Sequence, residues 1–285
     1  MTIERVFSDS ATQALAALYP ERAGVISHRL VGHPLLALDA LVALAARIRP
    51  VDVEQNIGTL PVGIDPADVA HNGLSVEETI RSIRENQSWM VLKFVEQDPA
   101  YRALIESVLD ELRSLVAPTT GEMLKLEGFI FISSPRAVTP FHMDPEHNIL
   151  LQISGSKTMT VFPAGDPAIT SGALQEAFHL GGHRNLPYSE AFASKGQALT
   201  ITPGEAIHVP VKAPHWVQNG PEPSISFSVT WRSEWSYREA DAHHFNHLLR
   251  GIGLKPGMPR RFPHQNRSKS FAWRVTRRLR DGAWK

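Results

Sequence analysis

Cysteine is absent from the 285 residues. That removes disulfides, thiolate nucleophiles, Cys-ligated zinc and iron–sulfur clusters together, and it suits a reducing compartment. Apolar runs of membrane-spanning length are also lacking. The N-terminal MTIERVFSDSAT has no apolar core of the signal-peptide kind. The expectation is a cytoplasmic protein with no membrane contact. Charged residues are sparse at 20% against 42% hydrophobic, which excludes a chain disordered throughout. Net charge is zero but unevenly spread. Residues 255–285 hold ten Lys/Arg and one acid, which leaves 19 bases against 28 acids in residues 1–254. The body is acidic and the tail basic.

The first part reads helical. Leu35, Leu38, Leu41, Val42, Ala45 and Ile48 recur near period 3.6 over 35–48. Ser75 with Glu78 forms a capping box for a helix reaching about Gln87. Residues 89–95 (WMVLKFV) read as a strand. Asp98 then caps a helix with Pro99 at its first position, striped by Tyr101, Leu104, Ile105, Val108, Leu109, Leu112 and Leu115 and ended by Pro118 to Gly121.

From about Leu124 the texture changes. Short Ile/Val/Phe/Thr-rich runs alternate with Gly/Pro/Ser/Asn punctuation at 128–133, 137–143, 148–153, 157–162, 198–202, 205–210, 215–218 and 224–231. Such a series predicts an antiparallel sandwich or barrel, with a tight hairpin at Ser154-Gly155-Ser156. Residues 163–197 read as a long insertion, of a length uncommon in loops unless functional or mobile, and 237–250 as a helix. The expected fold is mainly β with flanking helices. Residues 1–123 form a helical region with one strand, 124–235 the barrel, and 236–285 C-terminal helices and tail, all in one structural domain.

The chemistry is concentrated in VTPFHMDPEHN. On a strand, His142 and Asp144 point to the same face. A third ligand from a distant strand would complete a facial set of two imidazoles and one carboxylate, which suits non-haem Fe(II) and leaves positions open. The segment after Gly204 offers His215, with His208 as competitor. In KTMTVF, Lys157 shares a face with Met159 and Val161, the inward one, where a lysine needs an anionic partner. Rival motifs fail. Gly155-Ser-Lys-Thr158 lacks the upstream glycine of a P-loop, Gly251-x-Gly253 lacks a preceding strand, and no G-x-S-x-G elbow exists.

These residues fall in an order that resembles a known family. Thr139-Pro140-Phe141-His142-Met143-Asp144, Asn148, Gly155-Ser156-Lys157 and Gly204-Glu205…Pro210…His215 are similar to the JmjC-type cupins. These adopt the double-stranded β-helix fold of Fe(II)/2-oxoglutarate-dependent oxygenases. The pattern resembles most the JmjC hydroxylase branch that includes the asparaginyl hydroxylase of hypoxia-inducible factor. It covers roughly a third of the chain. Glu205 stands where Asp is usual, a conservative exchange that concerns a turn.

The resemblance implies that His142, Asp144 and His215 hold iron, since the family spacing from Pro210 favours His215. It implies that Lys157 and Thr139 bind the distal carboxylate of 2-oxoglutarate, that Asn148 lies near its chelating end, and that dioxygen takes the last position. The expected activity is hydroxylation of a protein side chain, with 2-oxoglutarate decarboxylated to succinate. Demethylation and a small-molecule substrate stay open. The alternatives are a cupin-fold binding or regulatory protein without turnover, and a metal-dependent cupin that uses no 2-oxoglutarate.

His147 is expected to point away from the metal set, and His208 to be a pocket or core residue. His243, His244 and His247 are expected on an amphipathic helix surface. Arg184, Tyr188 and Glu190 are weak candidates for substrate contact. Phe271, Val275 and Leu279 form the stripe of a basic helix, expected to pack on the acidic body or on a second subunit. A homodimer through C-terminal helices is favoured over nucleic acid.

Overall fold

The computed structural model describes residues 5–58, 60–64, 68 and 70–282. The N-terminal part contributes α1 (Asp9–Leu18), β1 (Gly24–Ser27), α2 (Leu38–Ala45), β2 (Val53–Ile57), α3 (Val76–Arg81), β3 (Ser88–Lys93), α4 (Pro99–Asp110) and α5 (Arg113–Thr120). Eight strands follow: β4 (Met123–Ser133), β5 (Val138–His142), β6 (His147–Ser154), β7 (Lys157–Val161), β8 (Gln197–Ile201), β9 (Glu205–Val209), β10 (His215–Asn219) and β11 (Ser224–Ser233). Helix α6 (Gly172–His179) lies between β7 and β8, and α7 (Glu234–Gly251) and α8 (Arg267–Gly282) close the chain.

The strands form two antiparallel sheets. The larger runs β1-β9-β6-β11-β4-β3-β2, and the smaller runs β5-β10-β7-β8. Because side chains alternate along a strand, each sheet offers one row to the space between them. Phe129 and Phe131, Asn148 and Leu150, and Ser228 and Thr230 come from the larger sheet; Lys157 and Met159, and His215 and Val217, come from the smaller. The opposite face of the larger sheet packs Ile130, Ile132, Ile149, Leu151, Phe227 and Val229 with Leu15, Leu41, Ile105 and Val108 of the N-terminal helices. That apolar layer holds the barrel rigid from outside and leaves its interior free to carry polar groups.

Local signals account for most boundaries. Ser75 and Glu78 make the expected capping box, but α3 ends at Arg81, short of Gln87. The 35–48 pattern divides into a 3₁₀ turn at Pro34–Leu36 and α2. The helix begun at Pro99 is interrupted after Asp110 and resumes as α5, whose last turn admits Pro118. Gly155 turns the β6–β7 hairpin at φ +67°, and a Cβ there would meet the Pro223 carbonyl oxygen at 2.2 Å. Residues 163–197 are more ordered than a loop. They contain α6, capped by Ser171, and a 3₁₀ segment at Glu190–Lys195.

The surface placed on α7 needs correction. His243 is 1% exposed, because α6 packs across α7 and its His179 ring stacks on His243 at 5.0 Å. The apolar stripe of α8 does not pack on the body either: Phe271 and Leu279 are 71% and 70% exposed. It is the other side of α8, with Trp273 stacked on His244 and Arg274 paired to Asp241, that meets α7.

Candidate metal centre and cosubstrate cavity

His142 ends β5 and His215 begins β10, and the two are direct partners in the β5–β10 ladder. Asp144 lies just beyond β5. The ladder therefore brings distant sequence positions to one point. One ligand atom from each of the three residues lies within 4.8 Å of the others. Asp144 Oδ2 is 3.6 Å from His142 Nε2 and 3.7 Å from His215 Nε2.

The remaining imidazole nitrogens are committed. His142 Nδ1–H donates to Pro140 O at 2.7 Å, and His215 Nδ1–H donates to Ala213 O at 2.9 Å. This fixes both tautomers with the Nε2 lone pairs directed at the shared point. Burial, with the neighbouring His142 charge, pushes the His215 imidazole down to about 4, so it is neutral and able to ligate at pH 7. Burial works to raise the Asp144 carboxyl. The charge and hydrogen bond of His142, with Arg184 and His215, override it and hold the group well below the usual carboxylate range. Two imidazoles with Nε2 directed at one point and one ionised carboxylate fit a divalent first-row metal. Among the described residues no other such cluster occurs.

The triad opens on a cavity of about 310 Å³ between the sheets. Lys157 lines it, 5% exposed, with its ammonium 6.0 Å from the Phe131 ring centroid. Burial without a counter-ion pushes this lysine down to about 7. Thr139 and Asn148 line the same space. The Ser228 hydroxyl donates to Asn148 Oδ1 at 2.7 Å, which leaves the amide's NH₂ to donate elsewhere. The structure thus brings all six sequence-derived site residues to one chamber.

The other histidines lie elsewhere. His147 stacks on Trp231 at 5.2 Å and bonds the Ser233 hydroxyl. His208 is in the core, its Nδ1 donating to Arg22 O, next to the Tyr19 ring. Glu205 accepts from Thr202 N and Oγ1 in a turn.

Sequence reading reached the outer part of the site only through Arg184. A second cavity of about 470 Å³ adjoins the first and is lined by Glu54 and Trp89, with Lys93, Thr139, His142, Phe178 and Arg184 common to both. Glu54 and Lys93 come from β2 and β3, and Arg184 from the 163–197 insertion. Of the insertion's three candidates, Arg184 reaches the triad. Tyr188 instead packs edge-on against Phe141 and Phe162.

No protein-family model matches the chain. Over 103 residues it is 30% identical to the Jumonji C domain-containing protein 5 of Drosophila melanogaster, a match spanning 33% of this chain and 25% of that protein. The chain thus spans about a quarter of the length of this curated relative. Among solved structures, Escherichia coli YcfD aligns at a TM-score of 0.54 with 16% identity, over 93% of this chain and 67% of that one. The structure of YcfD, a ribosomal oxygenase, in complex with cobalt and 2-oxoglutarate aligns at 0.54 with 15% identity, over 96% and 68%. By its two-sheet architecture the chain has the cupin-like jelly-roll fold of the JmjC-type oxygenases.

Proposed function

We propose that the protein is an Fe(II)/2-oxoglutarate-dependent oxygenase that hydroxylates a protein side chain. The observation that carries this reading is a facial His-Asp-His set opening on a cavity that buries a lysine unpaired among the described residues. Burying an ammonium without a partner is costly, and a dicarboxylate cosubstrate supplies the missing anion. The relatives support it. YcfD has been solved with cobalt and succinic acid as well as with 2-oxoglutarate, and the curated relative is a Jumonji C protein.

In this reading His142, Asp144 and His215 hold the iron. Lys157 and Thr139 bind the distal carboxylate of 2-oxoglutarate, and Asn148 orients its chelating end. Bound Fe(II) with 2-oxoglutarate and dioxygen supplies oxidative decarboxylation and oxygen insertion into a C–H bond. The chain's own work is orientation and exclusion of water. The inner cavity is walled by Phe129, Phe131, Leu150, Met159 and Val217, which strengthens the Lys157–carboxylate attraction. The outer cavity beside His142 is the entrance for the substrate side chain.

An anaerobic titration tests this. Metal-free protein loaded with Fe(II) and then 2-oxoglutarate is expected to develop the weak visible charge-transfer band of a chelated 2-oxo acid. The band should vanish in His142→Ala. Iron binding without a band would point to a metal-dependent cupin that does not use 2-oxoglutarate, and absence of iron binding would leave a non-catalytic scaffold.

Assembly is part of the same reading. We propose a homodimer in which the exposed Phe271, Val275 and Leu279 face of α8 packs on a second copy, its arginines against that copy's acidic body. Light scattering after gel filtration should give twice the chain mass for the wild type and a monomer for Phe271→Glu with Leu279→Glu. A monomeric wild type at all concentrations would refute it.

A further inference from the structure

Asp144 presents its two oxygens to different neighbours. Oδ2 faces both imidazole Nε2 atoms, at 3.6 and 3.7 Å. Oδ1 faces Arg184 Nη1 at 3.9 Å. Arg184 belongs to the insertion, yet its position is set by backbone pairing. Arg184 O accepts from Met143 N at 3.2 Å, Asn185 bridges His142, and Leu186 N donates to Phe141 O at 2.8 Å. Leu186 is then buried beside Phe141 and Phe162. The segment 184–186 thus adds itself to β5 and aims its guanidinium at the outer oxygen of the triad's carboxylate.

We infer that Arg184 is a positioning residue that keeps Asp144 a one-oxygen ligand. This rests on the oxygenase reading above. A facial triad leaves three positions on a six-coordinate metal, and a chelating 2-oxo acid with dioxygen takes all three. A carboxylate that swung to bind through both oxygens would occupy one of them. The guanidinium draws Oδ1 outward by its charge, at a distance of 3.9 Å. It leaves Oδ2 alone to the metal. The same contact ties the insertion, and with it the wall shared by the two cavities, to the metal site.

The test uses Co(II) as probe, with the full chain and without turnover. Arg184→Gln is expected to change the visible Co(II) spectrum, because a second Asp144 oxygen raises the coordination number. Affinity for 2-oxoglutarate at saturating Co(II) should fall about tenfold or more, the size typical of lost outer-shell partners, because that oxygen takes a position the chelate needs. Arg184→Lys should restore both, since it keeps the charge. A guanidinium that merely repelled the ion would tighten Co(II) binding on removal and leave the spectrum unaltered. An unaltered spectrum with unchanged 2-oxoglutarate affinity in Arg184→Gln overturns the inference while leaving the oxygenase reading intact. A wild type that binds no Co(II) sinks both.

Discussion

Lys157→Met is expected to stabilise the protein without its cosubstrate and to weaken its binding of 2-oxoglutarate about a hundredfold. The two effects share one cause. In the free protein the ammonium sits in a cavity wall among Phe131, Leu150 and Met159, and no acid among the described residues is paired with it. Methionine has a similar shape and carries no charge to desolvate, so the cavity loses a penalty and keeps its packing. The shift of this lysine from 10.5 to about 7 puts that penalty on the order of 5 kcal/mol below pH 7. Once the dicarboxylate is bound, the same ammonium becomes its partner. Removing one member of a buried charge pair costs about 2–5 kcal/mol, so affinity for 2-oxoglutarate should fall about a hundredfold. Co(II) affinity should be unchanged, because Lys157 touches none of the triad. Calorimetric titration and thermal unfolding measure both. A variant that melts lower and still binds 2-oxoglutarate would remove Lys157 from the site.

The pH dependence has a definite sign. Between about pH 7 and 10.5 the unfolded lysine keeps its proton and the folded one does not. The unfolded state then binds more protons, so cosubstrate-free stability rises with pH across that window. Binding of 2-oxoglutarate runs the other way. The dicarboxylate draws a proton onto Lys157, so affinity should fall about tenfold per pH unit above pH 7. Lys157→Met flattens both slopes.

How much of this was legible in the sequence follows from the range of the interactions. Strands β4 to β11 announce themselves by period-2 runs and turn residues, all of them local. His142-x-Asp144 is legible for the same reason, since two residues along a strand share a face. Lys157 was legible because a cation on an inward row demands an anion. Strand β1 is four residues long and β2 reads VEQNI, polar enough to pass for a loop. Each exists because a neighbouring strand offers it a ladder. Arg184 has no local signature either, because its placement depends on pairing with β5 across forty residues of chain. His243 was misplaced on a surface because α7 has little apolar contrast of its own. What buries it is α6, which nothing near His243 predicts.

The same long-range contact leads to the largest expected loss of stability. Lys212, 2% exposed, sits in the turn between β9 and β10. Its backbone N–H donates to Asp144 O at 2.8 Å, and the next residue, Ala213, accepts from His215. Its ammonium donates to Gln175 Oε1 on α6 at 2.7 Å and to His243 Nε2 at 2.6 Å, and pairs with Glu239 at 3.2 Å. Glu239, 1% exposed, also accepts from Arg261, which pairs in turn with Glu21. Glu239 is therefore shared by two cations, and it joins the ligand turn, α7 and the segment before α8. Glu239→Ala would leave Arg261 to Glu21 but strand the Lys212 ammonium, and breaking a buried pair in this way costs about 3–5 kcal/mol. Denaturant unfolding of the metal-free protein should report that loss. Co(II) affinity should weaken as well, because the turn held by Lys212 lies between two triad residues. The double variant Lys212→Met with Glu239→Leu removes one charge along with its partner and leaves Arg261 to Glu21, so it should lose less than the single change. If Glu239→Ala unfolds within about 1 kcal/mol of the wild type, a range ordinary for surface substitutions, the turn is held by packing alone and the ion network is incidental to the metal site.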